Sequence, residues 1–442
     1  MSDTEQQETT RPTPDLPDSR PNPYASPQAR YYAVGLLMVV YTFNFIDRQL
    51  LAILQESIKL DLGLSDSQLG LLTGFAFAIF YVTAGIPIAR WADRSNRRNI
   101  IALAVGLWSF MTALSGLAQN YSYLLLARIG VGVGEAGGSP PAHSIISDIF
   151  PPERRASALA LYSTGVNIGI MFGFLLGGWL NEYFGWRVAF MVVGVPGLVL
   201  ALIVRFTLTE PPRGIAENRI PGAAVPLGTV LALLWSRRSF RHIALGGALN
   251  AFAGYSTAGW TASFMQRSHG METGELGTWL ALILGLGGAI GVFGGALVAE
   301  RLARRDVRWY MWLPALTGVI CVPFMVGVYL ADGPYLALTL SIVPGLLFNV
   351  YLGNALAMTH GLVGLRMRAL ASAILFFVLN IIGLGIGPWV VGFLSDQLEP
   401  SLGVESLRYA MLYVIPAAMA WSVYHFYAAA SPLEKELAEA PD

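Results

Sequence analysis

Four charged residues sit where charge is costly: Asp47, Arg48, Arg128 and Glu135. Each interrupts an apolar run long enough to lie inside a bilayer, where an ionisable side chain costs a few kcal/mol and is a functional candidate by default. Two carboxylates and two guanidinium groups can do two kinds of chemistry. Burial favours the neutral form of a carboxylate and a neighbouring arginine favours the ionised form, so a carboxylate held between the two exchanges a proton when its surroundings change. An arginine fork holds a carboxylate or a phosphate. The same four groups could equally form a static ion network that only fixes helix packing. Deleting one member of a buried pair destabilises in either case.

Depth decides which of them can meet. Asp47 lies about ten residues from the outer end of its run and Arg128 about eight from the outer end of its own, roughly 15 and 12 Å at the helical rise. The matched depths predict an Asp47–Arg128 bond. Glu135 is two turns further along nearly the same face as Arg128, deeper and towards the same cavity. Gly130, Gly132, Gly134, Gly137 and Gly138 allow that run to pack closely on a neighbour. Pro140 and Pro141 predict a kink in it.

The elements that position these groups are membrane helices. The chain has 442 residues, 55% hydrophobic and 13% charged, against about 25% charged in soluble domains. Net charge is zero, so nothing points to nucleic acid. The single cysteine, Cys321, excludes an intrachain disulfide and a thiolate cluster. Twelve apolar runs of spanning length fall near 31–57, 66–91, 99–118, 121–149, 154–181, 186–208, 240–266, 274–299, 308–330, 333–362, 368–395 and 405–429. Ser65 with Gln68 fits a capping box before the second run. Helices satisfy their own backbone groups in lipid, so the expected fold class is all-α with no sheet.

Loops after even-numbered runs hold 18 basic residues and those after odd-numbered runs hold 4. Positive charge marks the cytoplasmic side, so both termini are expected there, in an inner (plasma) membrane. Residues 1–30, with six prolines and no apolar run, read as a disordered cytoplasmic tail. Residues 431–442 read as a short acidic tail.

The chain also repeats itself. Ala89-x-x-x-Asp93-Arg94-x-x-Arg97-Arg98 recurs as Ala296-x-x-x-Glu300-Arg301-x-x-Arg304-Arg305, an offset of 207. Gly169, Gly173 and Gly177 have counterparts in Gly383, Gly387 and Gly392. Two six-helix bundles, 31–208 and 240–430, joined by a linker at 209–239, are therefore expected. The GxGxG string at Gly130–Gly134 has no strand before it, and no P-loop, HExxH, GxSxG or metal-ligand cluster is present. No cofactor, no metal and no enzymatic activity are expected.

These features resemble the major facilitator superfamily: twelve runs, two halves and the Asp93-Arg94-x-x-Arg97-Arg98 loop, with Ala89 and Asn96 in place of the usual glycines. Asn44-Phe45-Ile46-Asp47-Arg48, Gly132-Val133-Gly134-Glu135-Ala136-Gly137 and Gly177-Gly178-Trp179 resemble its spinster branch. The resemblance implies a secondary transporter working by alternating access on a small solute, amphipathic or anionic and possibly lysolipid-like. Proton coupling would run through Asp47, Arg128 and Glu135. Arg48, Glu135, Arg128, Tyr41 and Asn44 would contact substrate, with Phe43, Phe45, Trp260 and Phe376 as an apolar wall. A cytoplasmic gate would use Asp93, Arg94, Arg97 and Asp148, with Asp93 against the start of the eleventh run near Arg366 and Arg368, and Arg97 paired with Asp148. The alternative is an uncoupled facilitator whose charges are structural. Expected partners are the solute, protons and the bilayer, with the protein a monomer.

Overall fold

The structure, a computed structural model, describes residues 23–213 and 225–441. The tail expected over 1–30 lies largely outside the described residues, as does part of the 209–239 linker. Helix α1 (Pro27–Leu62) starts where Ser26 accepts a bond from the Ala29 amide and stops at Gly63, whose φ of 63° is the left-handed cap that ends many helices. Helix α2 (Asp66–Arg94) begins with the expected capping box, Ser65 and Gln68 bonding each other's backbone amides. After α3 (Arg97–Ser115) the fourth run divides into α4 (Tyr121–Glu135) and α5 (Ser139–Ile149). The break therefore precedes Pro140 and Pro141 rather than falling on them. Proline lacks a donor that a first helical turn leaves unused, so the two prolines open α5.

Helix α6 (Pro152–Thr207) has 56 residues and doubles back at Gly185, where φ is 79°. Its length, roughly 80 Å if straight, would cross the hydrocarbon more than twice over, so it supplies two crossings. The linker contains a helix that the sequence reading did not assign, α7 (Leu227–Ser236). There follow α8 (Arg238–His269), α9 (Thr273–Ala303), α10 (Trp309–Leu330), α11 (Pro334–Leu347), α12 (Val350–Gly361), α13 (368–402) and α14 (Ser406–Ala438). The chain turns between α13 and α14 at Gly403, with φ 55°. Counting α4–α5 and α11–α12 as one crossing each, the described residues make twelve crossings in two six-helix halves. The segment read as an acidic tail, 431–442, is mostly the end of α14: Leu433 is fully buried and Glu436 accepts bonds from the start of α8. Wide helical turns recur at equivalent places in the repeat, Leu71–Phe75 in α2 and Ala281–Leu286 in α9.

Three large cores show how the halves meet. One core mixes both halves, with Ile53, Leu54 and Phe174 packed among the same residues as Trp260, Met265 and Leu407. The other two are divided, one almost wholly N-terminal around Val105, Ile145 and Tyr162, the other C-terminal around Phe240, Leu375 and Phe426. The molecule is thus joined at the face away from its termini, the far face, and split towards the near face that carries them.

Candidate functional site

Helix α1 presents Tyr41, Asn44, Phe45 and Arg48 at the i, i+3, i+4, i+7 spacing of one helical face. Helix α4 presents Arg128 and Glu135 two turns apart. Helix α4 packs tightly on α2 beside them: a Cβ on Gly132 would stand 2.9 Å from the Phe77 carbonyl oxygen of α2. Two crossed ion pairs result. Arg128 Nη1 lies 3.4 Å from Asp47 Oδ1, and Arg48 Nε donates to Glu135 Oε2 at 2.7 Å. Asp47, Arg128 and Glu135 are 1–2% exposed, whereas the Arg48 side chain is 14% exposed. Asp47 Oδ2, Glu135 Oε1, Arg128 Nε and Asn44 Oδ1 are buried with no protein partner.

Aromatic rings surround the arginines. The Arg48 guanidinium carbon lies 4.9, 4.8 and 5.0 Å from the ring centres of Phe45, Phe77 and Tyr81, and Phe77 also lies 5.8 Å from that of Arg128. Such contacts stabilise a guanidinium by ~1–2 kcal/mol when water is excluded. Tyr41 stacks on Tyr162 at 4.5 Å, and Tyr162 bonds Ser139 and meets the edge of His143. Tyr255 of α8 packs against the N-terminal core that holds these tyrosines, so the second half contributes a phenol.

At the near face Arg97 is a fully buried hub. It pairs with Asp148, as expected, and also with Glu210 Oε1 at 2.7 Å, the Ser144 hydroxyl at 2.8 Å and the Pro211 carbonyl at 2.9 Å. Tyr24 closes this end by donating to the Thr209 carbonyl, and burial pushes its phenol up to about 12, so it keeps its proton at any physiological pH. Asp93 and Arg94 are exposed and make no hydrogen bond or ion pair among the described residues. The expected contact of Asp93 with the start of α13 is not formed, because the halves are apart at this face.

At the far face the halves are locked. Arg267 of α8 makes a two-pronged bond to Asp66 at 2.7 Å on each oxygen and reaches Glu56 at 2.7 Å. Lys59 and Ser395 also bond Asp66. Asp396 of α13 accepts the Asp66 and Ser67 amides, each at 2.8 Å. Asn181 joins Thr273, and Glu182 the Gly274 amide, between α6 and α9.

A family model described as Major Facilitator Superfamily matches residues 37–388. The chain belongs to the Major Facilitator Superfamily. Within the superfamily it is similar to an MFS-type efflux pump of Mycolicibacterium smegmatis, 33% identical over 93% of this chain and 95% of that one. A solved bacterial homolog of the human lysosomal transporter Spinster, inward-facing and unoccupied, superposes with a TM-score of 0.81 at 32% identity, covering 93% and 99% of the two chains. The sphingosine-1-phosphate transporter SPNS2 of Danio rerio is 27% identical over 86% and 80%. The chain is a multi-pass membrane transporter of the superfamily's spinster branch, not an enzyme.

Of the expected site residues, the structure brings together Asp47 with Arg128, Arg48 with Glu135, and Arg97 with Asp148; Tyr41 and Asn44 lie on the same helix face as Arg48. Trp260 is not a cavity wall: it is fully buried and its Nε1 donates to the Pro388 carbonyl at 2.8 Å, holding α8 to α13. Sequence reasoning missed Glu210, Glu56, Asp66, Arg267 and Asp396. No signal singled them out: each stands at or within about two turns of a helix end, where charge is cheap and does not stand out.

Proposed function

We propose that this transporter is proton-coupled and moves a small amphipathic or anionic solute of the lysolipid class by alternating access. The observation that carries the reading is the crossed pairing of Asp47 with Arg128 and of Glu135 with Arg48. Arg48 is the most reachable of the four charges, and Glu135 occupies its fork. An anionic head group that takes Arg48 leaves Glu135 as an unpaired buried carboxylate, which then favours a proton. Proton and solute thereby exchange for one arginine. Asp47 and Arg128 couple the same change to the bond between α1 and α4, and a two-state protein follows whichever ligand discriminates between its states. The aromatic ring around Arg48 and the likeness to a sphingosine-1-phosphate transporter support an amphiphile with an acidic head.

The excess of basic residues in near-face loops supports cytoplasmic termini. With that orientation a far-face lock corresponds to an inward-facing state. Residues 31–208 and 240–430 would be the moving bodies and 209–239 the connection between them.

The test is uptake into proteoliposomes with and without a pH gradient, for wild type, Asp47→Asn and Glu135→Gln. Gradient-driven flux is expected in the wild type only, falling at least ~10-fold in both variants per folded molecule, with folded protein measured in parallel because each variant leaves an arginine without its counter-charge. Equal flux with and without the gradient would instead make the chain a facilitator whose charges are structural.

A further inference from the structure

Helix α7 lies outside the twelve crossings and is apolar on two sides. Val230 and Leu234 are fully buried in the C-terminal core with Phe240, Ile243 and Leu433. On the other side Leu227, Leu231 and Trp235, spaced by four, are 56%, 45% and 62% exposed. Ten residues cover roughly 15 Å, half the hydrocarbon thickness, so α7 is no thirteenth crossing. Only Arg237 separates it from α8, which does cross. The chain therefore holds the last turn of α7 at the boundary between hydrocarbon and head groups, where tryptophan is favoured.

Charge points the same way. Arg237 is taken by Glu439, and Glu436 is taken by the Arg238 and Ser239 amides and the Ser239 hydroxyl. The side chains of Arg238 and Arg241 are exposed and have no partner among the described residues. A Leu–Leu–Trp stripe beside two free guanidinium groups matches an anionic membrane surface, apolar below and negative above.

We infer that α7 is an interfacial foot of the C-terminal half, docked on the anionic phospholipid head groups of the near-face leaflet through Leu227, Leu231, Trp235, Arg238 and Arg241. Because α7 packs on α8 and α13, the foot ties that half to the leaflet.

The test uses the full chain in nanodiscs, with an environment-sensitive dye on Leu231→Cys; Cys321 is buried and stays unlabelled. Nanodiscs contain phosphatidylcholine with or without phosphatidylglycerol, plus a lipid spin-labelled near its head group. The expected result is emission shifted to the blue of free dye, quenched by roughly half by the spin-labelled lipid, as for a helix buried 5–10 Å into the interface. Quenching should increase with phosphatidylglycerol, and that increase should vanish in Arg238→Gln/Arg241→Gln. Leu227→Cys repeats the measurement if Leu231→Cys lowers the thermal midpoint. Water-like emission at both sites overturns the inference. So does blue-shifted emission that lipid labels leave unquenched, or that reverts when residues 1–22 are deleted, since another segment of the chain would then cover the stripe.

Discussion

The two halves share one architecture and differ in polarity. At the repeat offset of 207, Asp47 and Arg48 have Gly254 and Tyr255 as counterparts, and all four deep charges lie in the first half. The second half answers with neutral polar groups: Asn250 and Asn354 are buried, and Tyr255 and Tyr351 present phenols. Duplication supplied a hinge between equivalent bundles. Divergence then placed ionic chemistry on one side of the hinge and neutral polar groups on the other, so under the proposed coupling a proton arriving at the centre would act on one bundle and be felt as a change of fit with its neighbour.

That asymmetry can be broken most strongly at Arg128. Replacing it with Met leaves Asp47 buried without its cation, and a thermal or denaturant midpoint should report a loss of about 3–5 kcal/mol. Asn354→Leu in the second half removes a neutral amide whose Nδ2 donates to the Val350 carbonyl of its own helix, and should cost only ~1 kcal/mol. Equal losses would mean that the polarity difference has no energetic content.

The next largest effect separates the far face from the near one. Arg267→Gln removes charged bonds to Asp66 and Glu56, each worth about 1.5–3 kcal/mol. Spin labels at the far-face ends of α2 and α13 should move apart in this variant, while labels at the near-face ends approach. Unchanged distances would show that apolar packing alone holds the far face. Trp260→Phe loses one neutral bond to the Pro388 carbonyl within the second half, so it should cost about 1 kcal/mol of stability and leave those distances unchanged. Smallest is Asp93→Asn: an exposed side chain without a partner should change the stability of this state by less than ~0.5 kcal/mol, with any effect confined to transport rate.

The sequence disclosed the crossings and the central charges for one physical reason. Hydrocarbon depth makes apolar runs long and makes Asp47, Arg48, Arg128 and Glu135 conspicuous within them. Matched depth was enough to predict the Asp47–Arg128 pair. The same criterion concealed Glu56, Asp66, Arg267 and Asp396, because charges near helix ends are inexpensive and were indistinguishable from ordinary flanking residues. The partner of Arg48 was not legible either: the break over Ala136–Gly138, which leaves Glu135 as the last residue of α4, depends on three small residues yielding before two prolines. Helix α7 was lost because ten apolar residues are too few to register as a span. Asp93 was assigned a partner across the halves, which this arrangement holds out of reach.

One detail at the start of α2 bears on how freely the far face can separate. The helix carries a cap written in its own sequence, Ser65 with Gln68, and a second one lent by Asp396 from the opposite bundle. Withdrawal of the lent carboxylate exposes two amides to solvent but leaves the native cap in place, so the first turn has no cause to fray. Each of those bonds, made to a charged carboxylate, is replaced by one to water, at a net cost of about 1.5–3 kcal/mol. Parting is then a rigid displacement rather than a local melting, and its reversal requires no helix to be rebuilt.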